Sequence, residues 1–195
     1  YPTSGHARRI ASIVNGLTRE PIEEERRRLC RKDPELAELM RIEKLWPPLG
    51  VEGRHMGDVR QMAQDFDVPE ISASREEFIE GLDGVLILTD WMTNHQKYAP
   101  FFLRAGVPIY VDKPFSLSPL EAEAIIEVAR ETGTPFMSAA ASRFDSQVAK
   151  LKADLPDLGK VLTATATAPA WAGMTFYGIH GLEMLFEVMG SDVVE

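Results

Sequence analysis

The sequence predicts an α/β fold around a doubly wound parallel sheet, and three observations carry that expectation. Between residues 84 and 138 short apolar runs alternate with helical patterns in the order strand, helix, strand, helix, strand. The run at 85–88 is continuously apolar, as suits a strand covered on both faces. The connections are short, and such alternation implies right-handed crossovers onto parallel strands.

The elements follow in order. Ala7, Ile10, Ala11 and Val14 recur at helical spacing, so a helix is expected just after Gly5 with one face inward. Segment 18–44 is charge-rich with a sparse stripe of Leu29, Leu36, Leu39 and Met40, and Pro21 and Pro34 each suit a helix start, which predicts two solvated helices. A short strand is expected within 41–46, ended by Pro47 and Pro48. Residues 58–66 read as a short helix, and 74–81 as another opened by the capping-box spacing of Ser74 and Glu77. The turn at Asp83-Gly84 precedes the strand at 85–88, and 98–105 looks helical until Gly106. Residues 107–111 and 134–138 are strand-like. Between them, 118–132 is the clearest helix, with Ser118 as cap, Pro119 first, Leu120, Ala124, Ile125, Val128 and Ala129 on one face, and Gly133 at its end.

After Arg143 the texture changes. A short helix over 147–153, a turn at 155–157, an alternating Thr/Ala strand over 161–168 and an apolar helix over 182–189 are expected. The change places a domain boundary there, with one domain over 1–142 and a second α/β domain beginning over 143–195. The absence of an initiator Met, and a terminus at 193–195 that reads as a strand beginning, suggest a chain cut at both ends, its first strand missing and its second domain incomplete.

Composition narrows the function. The 195 residues suffice for one generous domain, or one and the start of another, and 45% hydrophobic with 26% charged residues is ordinary globular usage. Thirty acidic against 21 basic residues give a formal charge of −9, which repels phosphate backbones and acidic lipid, so neither nucleic acid nor membrane is an expected partner. No apolar stretch approaches the roughly 20 residues of a membrane span. Cys30 is the only cysteine, so a reducing compartment, the cytoplasm, fits best.

Ligands of open parallel sheets bind beyond the carboxyl ends of the strands. Thr89, Asp90 and His95 follow the strand at 85–88, Asp112-Lys113-Pro114 follows Val111, and Ser138 through Arg143 follows the last strand. Pro114 disfavours the helical conformation at Lys113 and holds it extended, so that its ammonium can be aimed. A strand-end lysine is expected outside the core, and an exposed loop is the alternative reading. At the start, Thr3, Ser4, Gly5 and His6 lead into a helix and suit the tail of a phosphate loop, where Gly5 permits close packing; an ordinary capped loop fits as well. His180 stands between Gly178 and Gly181 at the head of an apolar helix, where glycines leave room for a cofactor or sugar, although a structural capping histidine reads equally. The histidines at 6, 55, 95 and 180 have no partner at ligand spacing, so no metal is expected.

In order, Thr89 to His95, Ala105-Gly106, Asp112-Lys113-Pro114, Glu121-Ala122-Glu123-Ala124, Arg143-Phe144 and Gly178-Ile179-His180 resemble the Gfo/Idh/MocA family of oxidoreductases, in register over 84–190. The resemblance implies a Rossmann domain binding NAD or NADP, followed by an α/β domain whose open sheet often forms a homo-oligomer interface. It implies hydride transfer between nicotinamide and a hydroxyl-bearing carbon of a small-molecule sugar or polyol. His180 would be the base and Lys113 the charge-stabilising cation, histidine suiting the first part because its side chain titrates near neutrality. Cofactor contacts are then expected from Thr3, Ser4, Gly5, His6, Thr89, Asp90, His95, Asp112, Lys113 and Pro114, and substrate contacts from Arg143, Tyr177 and Glu183. The chain departs from the family pattern at Phe176, where an aspartate is common, at Glu183 and Asp112, which exchange one acid for the other, and at Asp90, where proline is typical. Two other readings stay open: a catalytically silent nucleotide- or sugar-binding protein on the same scaffold, and a lyase or glycosidase that uses NAD for transient oxidation.

Overall fold

The computed structural model describes residues 5–18, 32–47, 54–89, 93–168 and 174–190. Expectations that fall on 19–31, on Thr3, Ser4 and Asp90, or on 193–195 lie outside the described residues. Contacts divide the chain into two compact units, Tyr1–Asp90 and Trp91–Glu195.

In the first unit, helix α1 (Gly5–Val14) forms where the apolar spacing predicts it and buries Ala7, Ala11, Ser12 and Val14. Helix α2 (Pro34–Leu39) starts with Pro34, whose missing N–H belongs to a position without a helical partner. The Asp33 carboxylate caps it by accepting from the Leu36 amide at 3.0 Å. None of its residues is buried, as a solvated helix requires. Strand β1 (Lys44–Leu45) lies within the expected segment, and helix α3 (Arg54–Asp65) begins four residues before the expected one. Strand β2 (Glu70–Ile71) is paired parallel to β1, with Lys44 opposite Glu70. It escapes the sequence because two residues carry no periodicity. Val59, Met62, Ala63 and Phe66 meet Ala7, Ala11, Leu45 and Val68 in one core. Each large side chain so buried contributes roughly 1.5–3 kcal/mol. Arg8 fastens α1 over this core, 2.8 Å from the Asp65 carboxylate and 5.2 Å from the Phe66 ring centroid. Helix α4 (Arg75–Phe78) has the complete capping box of Ser74 and Glu77, and strand β3 (Val85–Ile87) buries Val85 and Ile87.

In the second unit, helix α5 (Thr93–Arg104) starts well before the expected residue 98 and runs through Pro100. A proline there removes one backbone hydrogen bond. The burial of Tyr98, Ala99, Phe102 and Leu103 on one face offsets that loss. Strands β4 (Ile109–Val111) and β5 (Phe136–Ser138) pair parallel, with Tyr110 opposite Met137, and helix α6 (Pro119–Thr132) is the crossover between them. Its core face is narrower than the sequence suggests. Ile125 and Val128 are buried, but Leu120 is 77% exposed. Ser118 makes no side-chain cap; Ser116 accepts from the Ser118 amide at 3.1 Å instead. Gly133 ends the helix at φ 66°, a left-handed conformation that costs glycine nothing.

Beyond β5 the strand–helix alternation stops. A 3-10 turn (Ala141–Phe144) leads into helix α7 (Ser146–Leu158), which passes through Pro156 where a turn was expected. The proline lies near the helix end, and Gly159 at φ 77° makes the turn one step later. The strand expected over 161–168 does not form. Alternation alone does not make a strand without a partner ladder, and this segment instead lays Ala166 and Ala168 against Gly181. A π-helical turn (Met174–Gly178) then feeds helix α8 (Ile179–Met189).

Candidate active site

Lys113 stands two residues past β4, and its bond to Pro114 is cis. The expectation of a lysine outside the core is overturned: only 7% of Lys113 is exposed. The cause is the π-helical turn, which brings Phe176 and Tyr177 over the ammonium, with Nζ 4.5 Å from the first ring centroid and 5.0 Å from the second. A desolvated cation over an aromatic face gains about 2 kcal/mol, which helps an ammonium tolerate burial. Tyr177 in turn lies 5.4 Å from the His180 ring, centroid to centroid. One aromatic side chain therefore links the two residues singled out as base and cation.

His180 is the second residue of α8. Its ring nitrogen Nδ1 lies 3.3 Å from the Ser142 hydroxyl, which also donates to the His180 carbonyl at 3.1 Å. Ser142 was visible in the sequence only as one residue of the run after the last strand. The room expected beside His180 is partly filled, since a Cβ on Gly181 would meet Ala168 at 3.5 Å and Ala166 at 3.6 Å.

Arg143, next to Ser142, donates from Nε to Glu187 at 2.9 Å and from its terminal nitrogen to Glu183 at 3.1 Å. Lys152 reaches Glu187 at 2.6 Å. The hydrogen bond to Glu183 and then that to Glu187 push the Arg143 guanidinium further above its already high range. Lys152 and then Arg143 hold the Glu187 carboxyl below the usual carboxylate value. Glu187 and Lys152 were not singled out by the sequence, which offers only their charge. Tyr110 donates to the Ala139 carbonyl at 2.8 Å, and burial, with the nearby Asp112 and Glu183 charges, pushes its hydroxyl upward.

The remaining expected contacts are spread more widely. His95 is fully buried, and its Nδ1 donates to the Phe115 carbonyl at 2.9 Å, which fixes the loop after Pro114 to α5. Asp112 is half-buried and Pro114 buried. Thr89 is half-buried in the first unit, where Gly5 and His6 are exposed at the start of α1. No described atom lies within 4 Å of a Cβ placed on Gly5, so the close packing expected at that glycine is not found among the described residues. Nor do three or more His, Cys, Asp or Glu side chains among the described residues gather as a metal site would need.

A family model described as an oxidoreductase family with an NAD-binding Rossmann fold, Gfo/Idh/MocA, matches residues 32–140. The chain belongs to this family. Its parallel strands joined by a helical crossover are the architecture that the family description names. Among curated relatives, the trans-1,2-dihydrobenzene-1,2-diol dehydrogenase of Bos taurus is 26% identical over 164 residues, covering 75% of this chain and 49% of that protein. Among solved structures, a probable dehydrogenase from Thermotoga maritima is similar with a TM-score of 0.67 at 19% identity, covering 80% of this chain and 50% of the other. An oxidoreductase from Agrobacterium radiobacter, solved with NAD+, L-tartaric acid and magnesium, matches with a TM-score of 0.62 at 16% identity, covering 77% and 47%. The chain thus spans about half the length of these relatives.

The donor set of this family member fits a nicotinamide nucleotide. An ammonium at Lys113 and a carboxylate at Asp112 stand just beyond the carboxyl end of a parallel strand, where such folds take their ligands. Among the described residues no helix is long and apolar enough to cross a membrane.

Proposed function

We propose that the intact protein is an NAD(P)-dependent oxidoreductase acting on a hydroxyl-bearing carbon of a sugar or cyclic polyol. The observation that carries this reading is the array of Lys113, Tyr177 and His180, in which the ammonium lies 5.0 Å and the imidazole 5.4 Å from the centroid of one aromatic ring. The substrate class draws support from the Bos taurus relative, whose name describes a cyclic 1,2-diol. Bound nicotinamide supplies the hydride acceptor or donor. His180 takes the hydroxyl proton as the substrate is oxidised and returns it in the reverse direction. Lys113 stabilises the negative charge that develops on the substrate oxygen, a role in which a preorganised cation in a dry site is strongest. Tyr177 lines the substrate side, with Arg143 and Glu183 as further contacts. His95 acts on the cofactor through the loop that it holds, while Thr89, Asp112 and Pro114 border it directly. Thr3, Ser4, Gly5, His6 and Asp90 complete the cofactor contacts in this reading.

We divide the protein at residue 142, a division supported by the family match ending at 140. Residues 143–195 then begin the substrate and oligomerisation domain of a cytoplasmic homo-oligomer. Two measurements test the reading. NADH or NADPH added to the intact protein raises its melting temperature, because a ligand bound only by the native state stabilises it. Nicotinamide absorbance then changes with at least one member of a sugar and polyol panel. No thermal shift at about millimolar cofactor sinks the proposal. A shift without turnover on any substrate favours the silent-binder reading instead, for which Phe176, standing where the family commonly has aspartate, is the specific motive.

A further inference from the structure

We infer that Ser142 is a positioning residue that sets the tautomer of His180, a part that Phe176 cannot play. The inference rests on the proposed role of His180 as base. The argument is one of hydrogen counting. A serine hydroxyl has one proton to donate and lone pairs to accept. Ser142 Oγ lies 3.1 Å from the His180 carbonyl oxygen and 3.3 Å from His180 Nδ1. The carbonyl can only accept and is the nearer partner, so we assign the hydroxyl proton to it. The contact with the imidazole is then satisfied only if Nδ1 carries the proton and donates to Oγ. In the neutral ring that leaves Nε2 as the basic nitrogen, the atom a general base needs.

The backbone makes the arrangement firm. Ser142 belongs to the 3-10 turn Ala141–Phe144, where the Arg143 amide donates to the Ala140 carbonyl at 3.0 Å and the Asp145 amide to Ser142 at 3.3 Å. Arg143, the next residue, is tied to Glu183 and Glu187 of α8, the helix that carries His180. The turn and the helix are thus clamped on one side of the serine. A hydroxyl within such a clamp can orient a ring in the way a carboxylate orients one elsewhere, without adding a second charge beside Lys113.

The test reads the tautomer directly. The intact protein is labelled with nitrogen-15 at histidine, and the His180 resonances are assigned by their loss in His180→Gln. The expected result is a proton on Nδ1 in the unaltered protein and a shift toward Nε2–H in Ser142→Ala. Ser142→Thr, which keeps the hydroxyl, restores the first pattern. Turnover follows the same order, falling in Ser142→Ala by roughly ten- to a hundredfold, the range for losing a hydrogen bond that orients a functional histidine. An Nε2–H ring in the unaltered protein, or a tautomer unmoved by Ser142→Ala, overturns the inference. If the tautomer moves as expected while no form of the protein turns over any substrate, Ser142 keeps its positioning role and the oxidoreductase reading is what fails.

Discussion

Two cations, Lys113 buried and Arg143 half-buried, are held in opposite ways. Arg143 meets Glu183 and Glu187, so its charge is balanced by carboxylates that also engage Lys152. Lys113 is covered by the faces of Phe176 and Tyr177. Aromatic faces attract a cation through their quadrupole and leave its net charge intact, whereas a carboxylate cancels it. The difference separates two jobs. The guanidinium holds the 3-10 turn to α8, and in the proposed reaction the ammonium stabilises the substrate oxygen as it becomes negative.

The largest effect that can break this contrast lies at Lys113. Lys113→Met keeps most of the buried stem and removes the charge. We expect turnover to fall by about a hundred- to a thousandfold, the cost of deleting one preorganised stabilising group, and melting temperature to change little, because the cation–π attraction lost is offset by no longer burying a charge. Steady-state rates and thermal unfolding of the intact protein check it. A loss of stability as complete as the loss of activity would make Lys113 a structural residue.

Phe176 sharpens the comparison at a smaller scale. Phe176→Leu retains apolar volume and removes the ring face 4.5 Å from the ammonium. The expected loss is about 1–2 kcal/mol of cation–π attraction, read as a lower melting temperature that Lys113→Met largely abolishes when the two changes are combined. Additive effects in that double-mutant cycle would show that ring and ammonium do not interact. Phe176→Asp probes the other half of the idea. By replacing a ring with a carboxylate it brings Lys113 closer to the condition of Arg143.

How much of this was legible follows from what each feature needs. The crossover helix α6 and the capping box of α4 were readable because their signals are local: Pro119 and Gly133 at the ends of one, Ser74 and Glu77 in the other. Helices α5 and α7 run through Pro100 and Pro156 against the local rule, and for α5 the burial of Phe102 and Leu103 decides. The Thr/Ala run at 161–168 failed for the converse reason, since its pattern was right and it has no partner strand among the described residues. At the site, Lys113 and His180 stood out because strand ends and helix heads are places where chemistry sits. That the rings of Phe176 and Tyr177 cover Lys113, and that the Ser142 hydroxyl lies beside His180, was not legible, because these contacts join residues distant in sequence.

The smallest expected effect belongs to the neutralised cation. Lys152 and then Arg143 lower the Glu187 carboxyl pKa in the folded protein relative to its ordinary value of 4.5. A depressed carboxyl contributes stability that is present above the unfolded pKa and is lost as pH falls through the folded one. The acid limb of the stability curve should therefore steepen below about pH 4.5, and Glu187→Gln should flatten it there while changing little at neutral pH beyond the modest, salt-sensitive worth of exposed ion pairs. Melting temperatures across the acid range, at low and high salt, measure both. If Glu187→Gln instead suppresses turnover as strongly as Lys113→Met, the carboxylates around Arg143 serve the reaction itself, and the division between a holding cation and an acting one fails.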